Sequence, residues 1–137
     1  MKKYLLGLIA IAFCSCAPSS YNLTNTVWYN VTSGELDGVE GNVFTSIYFL
    51  EDNQMCVNTS VECNNEMIVS PTITALGSYH YEGTLKKGIR LTISKTDTWG
   101  NTTSNRGIIT PNGLFLMETD SIARVYNKAT NLTVKQK

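Results

Sequence analysis

The chain of 137 residues predicts an all-β fold: an antiparallel up-and-down barrel of eight or nine strands, preceded by a cleaved signal helix. Three observations carry that expectation. Past residue 16 no stretch sustains apolar residues at helical spacing, short runs rich in Val, Ile, Thr, Tyr and Phe alternate in polarity, and turn-forming residues punctuate them. Nearest-neighbour hairpins favour a meander, and closing it removes the exposed edges that invite aggregation.

The leader comes first. Lys2 and Lys3 are followed by an apolar run over 4–13 and then by Cys14-Ser15-Cys16. That is the three-part plan of a secretory signal, and its apolar run is too short for a permanent transmembrane helix. The segment Phe13-Cys14-Ser15-Cys16 resembles a bacterial lipobox, which needs a small residue ahead of the acylated cysteine. Ser15 before Cys16 meets that need and Phe13 before Cys14 does not, so residues 1–15 are expected to be removed and Cys16 to be the lipidation site. Each buried methylene contributes roughly 0.8 kcal/mol, so a palmitate-type anchor of two or three chains holds permanently. Residues 16–25 read as a polar, lipidated tether, 26–130 as the barrel and 131–137 as a C-terminal tail. The expected location is the cell envelope, as an outer membrane lipoprotein. No acidic cluster follows Cys16, which favours the periplasmic face over the cell surface.

The strands follow in order. An opening strand over 26–32 contains Trp28 and Tyr29. Strands over 45–50 and 55–61 form a hairpin through Asp52-Asn53, whose short polar side chains tolerate turn conformations. The stretch 62–75 reads either as a long loop or as a short strand at Met67-Ile68-Val69. Over 77–83, Tyr79 and Tyr81 alternate with Ser78, His80 and Glu82; over 88–95, Ile89, Leu91 and Ile93 alternate with Arg90, Thr92 and Ser94. Lys86-Lys87-Gly88 turns between those two strands. Strands over 105–110 and 114–119 are joined by Pro111-Asn112-Gly113, and 122–128 closes the set with Val125 and Tyr126. The acid-rich stretch 33–43 and the polar stretch 96–104 are expected as loops at the barrel rim.

A resemblance emerges from these pieces. Asn25-Thr26-Val27-Trp28, Gly77-x-Tyr79-x-Tyr81-x-Gly83, Ile89-x-Leu91, Gly107-Ile108-Ile109 and Gly113-Leu114-Phe115-Leu116 together resemble the small lipocalin-like lipoproteins of Bacteroides-type bacteria. That resemblance implies a calycin-type barrel tethered to a membrane.

Charge narrows the partners. Eleven basic and eleven acidic residues balance, a poor match to nucleic acid. Their distribution is uneven: between residues 4 and 85 there are eight acids and no Lys or Arg, whereas from Lys86 onward nine bases face three acids. A closed barrel would bring the two halves together along two seams, where opposite charges across strands add a few tenths of a kcal/mol. The segregation itself reads either as a steering dipole or as a solvated exterior.

Few residues offer chemistry. Cys56 and Cys63 are the only thiols beyond the leader and anchor, and export favours a disulfide between them, worth about 2 to 3 kcal/mol in the chain-entropy model. A metal or redox pair is the alternative, though further ligands and a Cys-x-x-Cys spacing are both lacking. His80 is the sole histidine and reads as a surface or barrel-lining residue rather than a general base. Glu35, Asp37 and Glu40 cluster in what reads as a mobile loop, without the ligand order of an EF-hand. Asp120-Ser121-Ile122 resembles an O-glycosylation site of Bacteroides-like organisms and reads equally well as a turn with Ser121 capping the last strand. Trp28, Tyr48, Tyr79, Tyr81, Trp99 and Phe115 are candidates to contact a ligand, as a barrel this size either packs solid or holds one small molecule.

The sequence therefore points to a binding protein rather than an enzyme, with no catalytic residues, cofactor or metal expected. The first expectation is a membrane-anchored barrel that binds a small apolar molecule or glycan in the envelope. The second is a module that contacts or inhibits an envelope protein through its rim loops, with Trp99 or the acidic cluster exposed.

Overall fold

A computed structural model describes residues 21–36, 38–64 and 66–130. The signal segment, Cys16 and the tail at 131–137 lie outside the described residues. Eight strands form one closed antiparallel barrel in which each pairs with its sequence neighbours. They are β1 (Thr26–Leu36), β2 (Val39–Phe49), β3 (Gln54–Cys63), β4 (Glu66–Thr84), β5 (Gly88–Asp97), β6 (Thr102–Thr110), β7 (Gly113–Met117) and β8 (Ala123–Lys128). A single 3-10 turn, Glu51–Asn53, joins β2 to β3. The architecture is the expected up-and-down barrel and is compatible with a lipocalin-like fold.

Period-two alternation puts one side of every strand inside. On β5, Ile89, Leu91 and Ile93 are buried while Arg90, Thr92 and Ser94 face solvent. Ile47, Phe49, Met55, Val57, Ile109, Leu114, Leu116 and Tyr126 complete the interior from the other strands. An eight-stranded barrel is just wide enough for such side chains to fill it. Close strand approach is part of this packing: a Cβ at Gly77 would collide with the Ser94 carbonyl of β5, so β4 passes its neighbour there only as glycine.

Because the strands alternate up and down, the connections fall at two opposite ends. At one end lie the turns β2–β3, β4–β5 and β6–β7 and the entry of the chain; at the other lie β1–β2, β3–β4, β5–β6 and β7–β8. The entry end is plugged. Leu23 is 0% exposed and packs with Trp28, Phe49 and Tyr79, and the rings of Phe49 and Tyr79 meet edge to face at 4.9 Å. Polar groups tie the plug down: the Leu23 amide donates to the Tyr81 hydroxyl at 3.4 Å, the Tyr79 hydroxyl donates to the Leu50 carbonyl at 2.8 Å, and Thr26 Oγ1 donates to the Leu23 carbonyl at 2.6 Å. The stretch 16–25 was expected to be tether throughout; its last residues, from Tyr21, belong to the barrel domain instead. A lone apolar side chain among polar neighbours is drawn in because the barrel end would otherwise expose aromatic rings to water.

Closure between β1 and β8 is short. Trp28 and Tyr29 pair with Lys128 and Asn127, the Ala129 amide donates to the Val27 carbonyl at 2.8 Å, and beyond that Asn30 Nδ2 reaches the Val125 carbonyl at 2.8 Å. At the other seam between the acidic and basic halves, Arg90 of β5 bonds Glu82 of β4 at 3.0 Å. Both side chains are largely exposed, so the pair contributes at most about 1 kcal/mol.

Three expectations need correction. The stretch 33–43 is not a loop, because β1 and β2 run on to Leu36 and Val39 as a projecting hairpin. The uncertain stretch 62–75 is extended: its first two residues end β3 and 66–75 are the first half of the 19-residue strand β4, whose pairing with β3 shifts register at Val57/Asn58, Thr59/Val61 and Val61/Glu62. Cys56 and Cys63 are not bridged: both thiols are free. They sit on the same extended strand β3, where a seven-residue separation spans about 23 Å. A disulfide needs Cα atoms within roughly 7 Å, so the strand itself forbids the bond. Burial pushes the Cys56 thiol up, which favours its protonated form.

Truncating the plug should unseat the closed end. Leu23→Ala is expected to lower stability by about 2 to 4 kcal/mol, measured by urea denaturation. A loss below about 0.5 kcal/mol would show that Leu23 is only resting on the surface.

Candidate functional site

The open end carries the groups free to meet another molecule. Among the described large apolar side chains the most exposed is Trp99, 83% accessible, on the loop between β5 and β6. This loop is held by one carboxylate. Asp97 Oδ1 accepts the amides of Trp99 and Asn101 at 2.9 Å each, and Oδ2 accepts Asn101 Nδ2 at 3.4 Å. The backbone closes the same turn, with Asp97 N donating to Asn101 O at 3.0 Å and Gly100 N donating to Asp97 O at 3.1 Å. Gly100 takes φ +84, a left-handed conformation that glycine adopts without strain. Sequence places these pieces naturally, since Asp readily hydrogen-bonds backbone two residues on. A large apolar ring is thus presented to solvent on an ordered turn.

Just inside the rim, the interior changes character. Lys95, Asn105, Glu118 and Thr45 form the upper wall of a cavity of about 140 Å³, above a floor that includes Ile93 and Leu116. Lys95 Nζ donates to Asn105 Oδ1 at 2.6 Å and to Thr103 Oγ1 at 3.3 Å. Burial lowers the Lys95 ammonium below the usual lysine range, and Glu118 partly offsets this. Glu118 is itself engaged by Arg124, Nε to Oε2 at 2.5 Å and a second guanidinium nitrogen to Oε1 at 3.1 Å. Burial also raises the Tyr126 phenol. One row of the barrel, Asn30, Thr45 and Thr59, adds further oxygens, and Asn30 Oδ1 and Thr59 Oγ1 are buried without a hydrogen-bond partner among the described residues. Buried polar atoms are rarely left so, and two in one row mark a polar layer.

The six aromatic candidates do not share a cavity. Trp28 and Tyr79 are core residues at the plugged end, with Tyr81 stacked on Tyr79 at 6.1 Å. Their polar tips are spent internally, for Trp28 Nε1 donates to Thr26 Oγ1 at 3.0 Å. Tyr48 and Phe115 alternate with the inward Ile47, Phe49, Leu114 and Leu116, so they belong to the outer face. Only Trp99 lies at the rim. Sequence reading passed over Lys95, Asn105 and Glu118; the available signal was that Lys95 continues the inward series of Ile89, Leu91 and Ile93.

Other singled-out residues fall on surfaces. His80 is exposed on β4, paired with Thr92 of β5. Glu35 and Glu40 face each other across the β1–β2 hairpin, while Asp37 lies outside the described residues. Ser121 sits in the exposed β7–β8 turn, where Thr119 Oγ1 accepts the Ser121 and Ile122 amides at 3.3 and 3.1 Å. Among the described residues no group of three His, Cys, Asp or Glu side chains is placed to hold a metal.

No family model, curated protein or solved structure matches the chain.

Hydrogen bonds from Asn101 and Trp99 hold the Asp97 carboxyl below the ordinary aspartate range. A depressed folded-state pKa means that the loop's extra order is fully present above the unfolded aspartate value of about 3.9 and is lost as pH falls through the folded value below it. Asp97→Ala should reproduce that loss at neutral pH. Backbone amide order parameters at Trp99 and Asn101 are expected to fall well below those of β5, with thermal stability nearly unchanged; rigid amides in the variant would assign the order to the backbone alone.

Proposed function

We propose that this is a lipid-anchored protein of the bacterial envelope whose barrel displays a recognition rim to an envelope protein partner. The observation that carries the reading is the placement of the chain's entry and of Trp99 at opposite ends of the barrel. Leu23 is seated in the plugged end, and seven residues span at most about 25 Å back to Cys16. A diacylglyceryl group there would hold the plugged end near the bilayer and direct the Trp99 rim away from it. An export signal ahead of a lipobox-like cysteine, as in the lipocalin-like lipoproteins of Bacteroides-type bacteria, supports the anchor and an outer membrane, periplasm-facing location.

The interior weighs against the first expected role, binding of a small apolar molecule or glycan, for any ligand of drug-like size. Pockets for drug-sized ligands run to about 300–1,000 Å³. The cavity here is about 140 Å³, and the aromatics that would have lined a larger one are packed in the plug or turned outward. An exposed Trp on an ordered turn, by contrast, suits a protein interface, because Trp is among the residues enriched at interface hot spots. We assign the module a binding role without catalysis.

Two measurements test the proposal. Mass spectrometry of the mature protein should find an acylated Cys16, and Cys16→Ser should shift the protein from the membrane to the soluble fraction. A photoreactive tryptophan analogue at position 99 should cross-link one envelope protein in intact cells, and Trp99→Ala should weaken that complex by about tenfold or more. An unmodified cysteine would overturn the anchor, and a complex indifferent to Trp99→Ala would overturn the rim.

A further inference from the structure

Lys95 is an unusual residue to find where it is. It occupies an inward position of β5, half-buried at the top of a largely apolar barrel, and no carboxylate among the described residues lies within ion-pair distance of it. An ammonium has three donors. Two are used, by Asn105 Oδ1 and Thr103 Oγ1, both uncharged acceptors. The neighbouring Glu118 does not supply the missing charge, because both of its oxygens are engaged by Arg124. Within the group Lys95, Arg124 and Glu118, one positive charge is therefore left over beside the cavity. Desolvating such a charge is costly unless an anion answers it.

The cavity beneath has two kinds of wall. Ile47, Met55, Val57, Ile93 and Leu116 make one part apolar, whereas Lys95, Asn105, Thr45 and Glu118 make the other polar. Its volume of about 140 Å³ is close to that of an apolar cavity which takes one benzene, about 150 Å³. We propose that the mouth of the barrel binds a small amphipathic monocarboxylate of about six heavy atoms, its carboxylate on Lys95 and its hydrocarbon against Ile93 and Leu116. The carboxylate accepts the third Lys95 N–H and supplies the missing negative charge, while the short tail displaces water from the apolar wall. Glu118, occupied by Arg124, stands beside the head group and selects for a single carboxylate over a dianion. The site uses none of the aromatic residues expected to contact ligand, and it is independent of the anchor and of the Trp99 partner.

Sodium butyrate is the probe, with 1-butanol as the uncharged control of the same tail length. Titrating the intact protein with butyrate should give saturable methyl chemical-shift changes at Ile93 and Leu116, with a dissociation constant on the order of 1 mM. Butanol should bind at least about tenfold more weakly, the usual loss when a hydrogen bond to a charged group is removed. Lys95→Met should bring butyrate down to the level of butanol, while Lys87→Met, on the exposed turn at the plugged end, should leave it unchanged. Equal binding of butanol and butyrate, undiminished binding in Lys95→Met, or no saturation at about fifty times the expected constant would each overturn the proposal. The butyrate and butanol comparison uses the unaltered protein, so the outcome does not hang on the folding of a variant.

Discussion

Burial of Leu23 is the contact on which the arrangement of this molecule turns. It lies ahead of the first strand, yet it is enclosed by side chains from β1, β2 and β4. That single seating fills the core at one barrel end, while the cavity beneath Lys95 lies toward the other. It also fixes where the chain preceding it departs. A barrel without such a plug has no intrinsic up or down, whereas here the polypeptide assigns one end to its own N-terminal side and the other to solvent. Under the proposed anchor at Cys16, orientation relative to a membrane follows from covalent geometry rather than from any surface patch.

The interior obeys the same polarity. Near the plug, hydrophobic and aromatic groups meet in contact, and their few polar tips bond to one another or to nearby carbonyls. Toward the mouth the inward positions become Asn30, Thr45, Thr59, Lys95 and Asn105; Thr45, Lys95 and Asn105 line the cavity, while Asn30 Oδ1 and Thr59 Oγ1 are buried beside it. The transition costs little, because hydrophobic burial is cumulative and the dry layers already close the barrel. Polar residues buried in the middle layers would have left donors and acceptors unsatisfied, at roughly 1 to 3 kcal/mol each. Thr45, Lys95 and Asn105, on the cavity wall at the open end, avoid that loss and can meet a ligand, whereas Asn30 and Thr59 do not avoid it.

Much of the fold could be read from residues whose alternation is uninterrupted. Ile89, Leu91 and Ile93 place β5 and its inner face, and Asp52-Asn53, at φ 60 and 59, supplies the tight turn that its composition suggests. Alternation fails as a guide wherever neither face is apolar or the register slips. The tip of β1 and β2, Ser33-Gly34-Glu35 against Glu40-Gly41-Asn42, projects past the core, so nothing in its polarity distinguishes strand from loop. In β4, the register shifts opposite Val57 to Glu62 swap inward and outward positions within one strand, and a strict period of two cannot run through them. The cysteines show a different limit. The expected export favours a disulfide, but only the continuity of β3 shows that they are held too far apart. For the candidate site, Trp99 was legible from its polar neighbours, while the Lys95 group depends on which face of three strands turns inward near the rim.

The two ends are also energetically separate, and this bears on how such a module can vary. Leu23, Phe49 and Tyr79 contribute to the global stability of the barrel through burial. The Trp99 loop draws its order from its own Asp97 and from backbone hydrogen bonds within five residues, with no core side chain taking part. Substitutions more than about 7–10 Å apart that share no partner act additively, so residues on the loop can change without loosening the plug. Changes at Lys95 sit between these regimes, because its amine reaches Thr103 and Asn105 on β6 while its stem lines the cavity. A scaffold of this kind can exchange its outer contact freely, but altering its inner one touches the packing of the barrel itself.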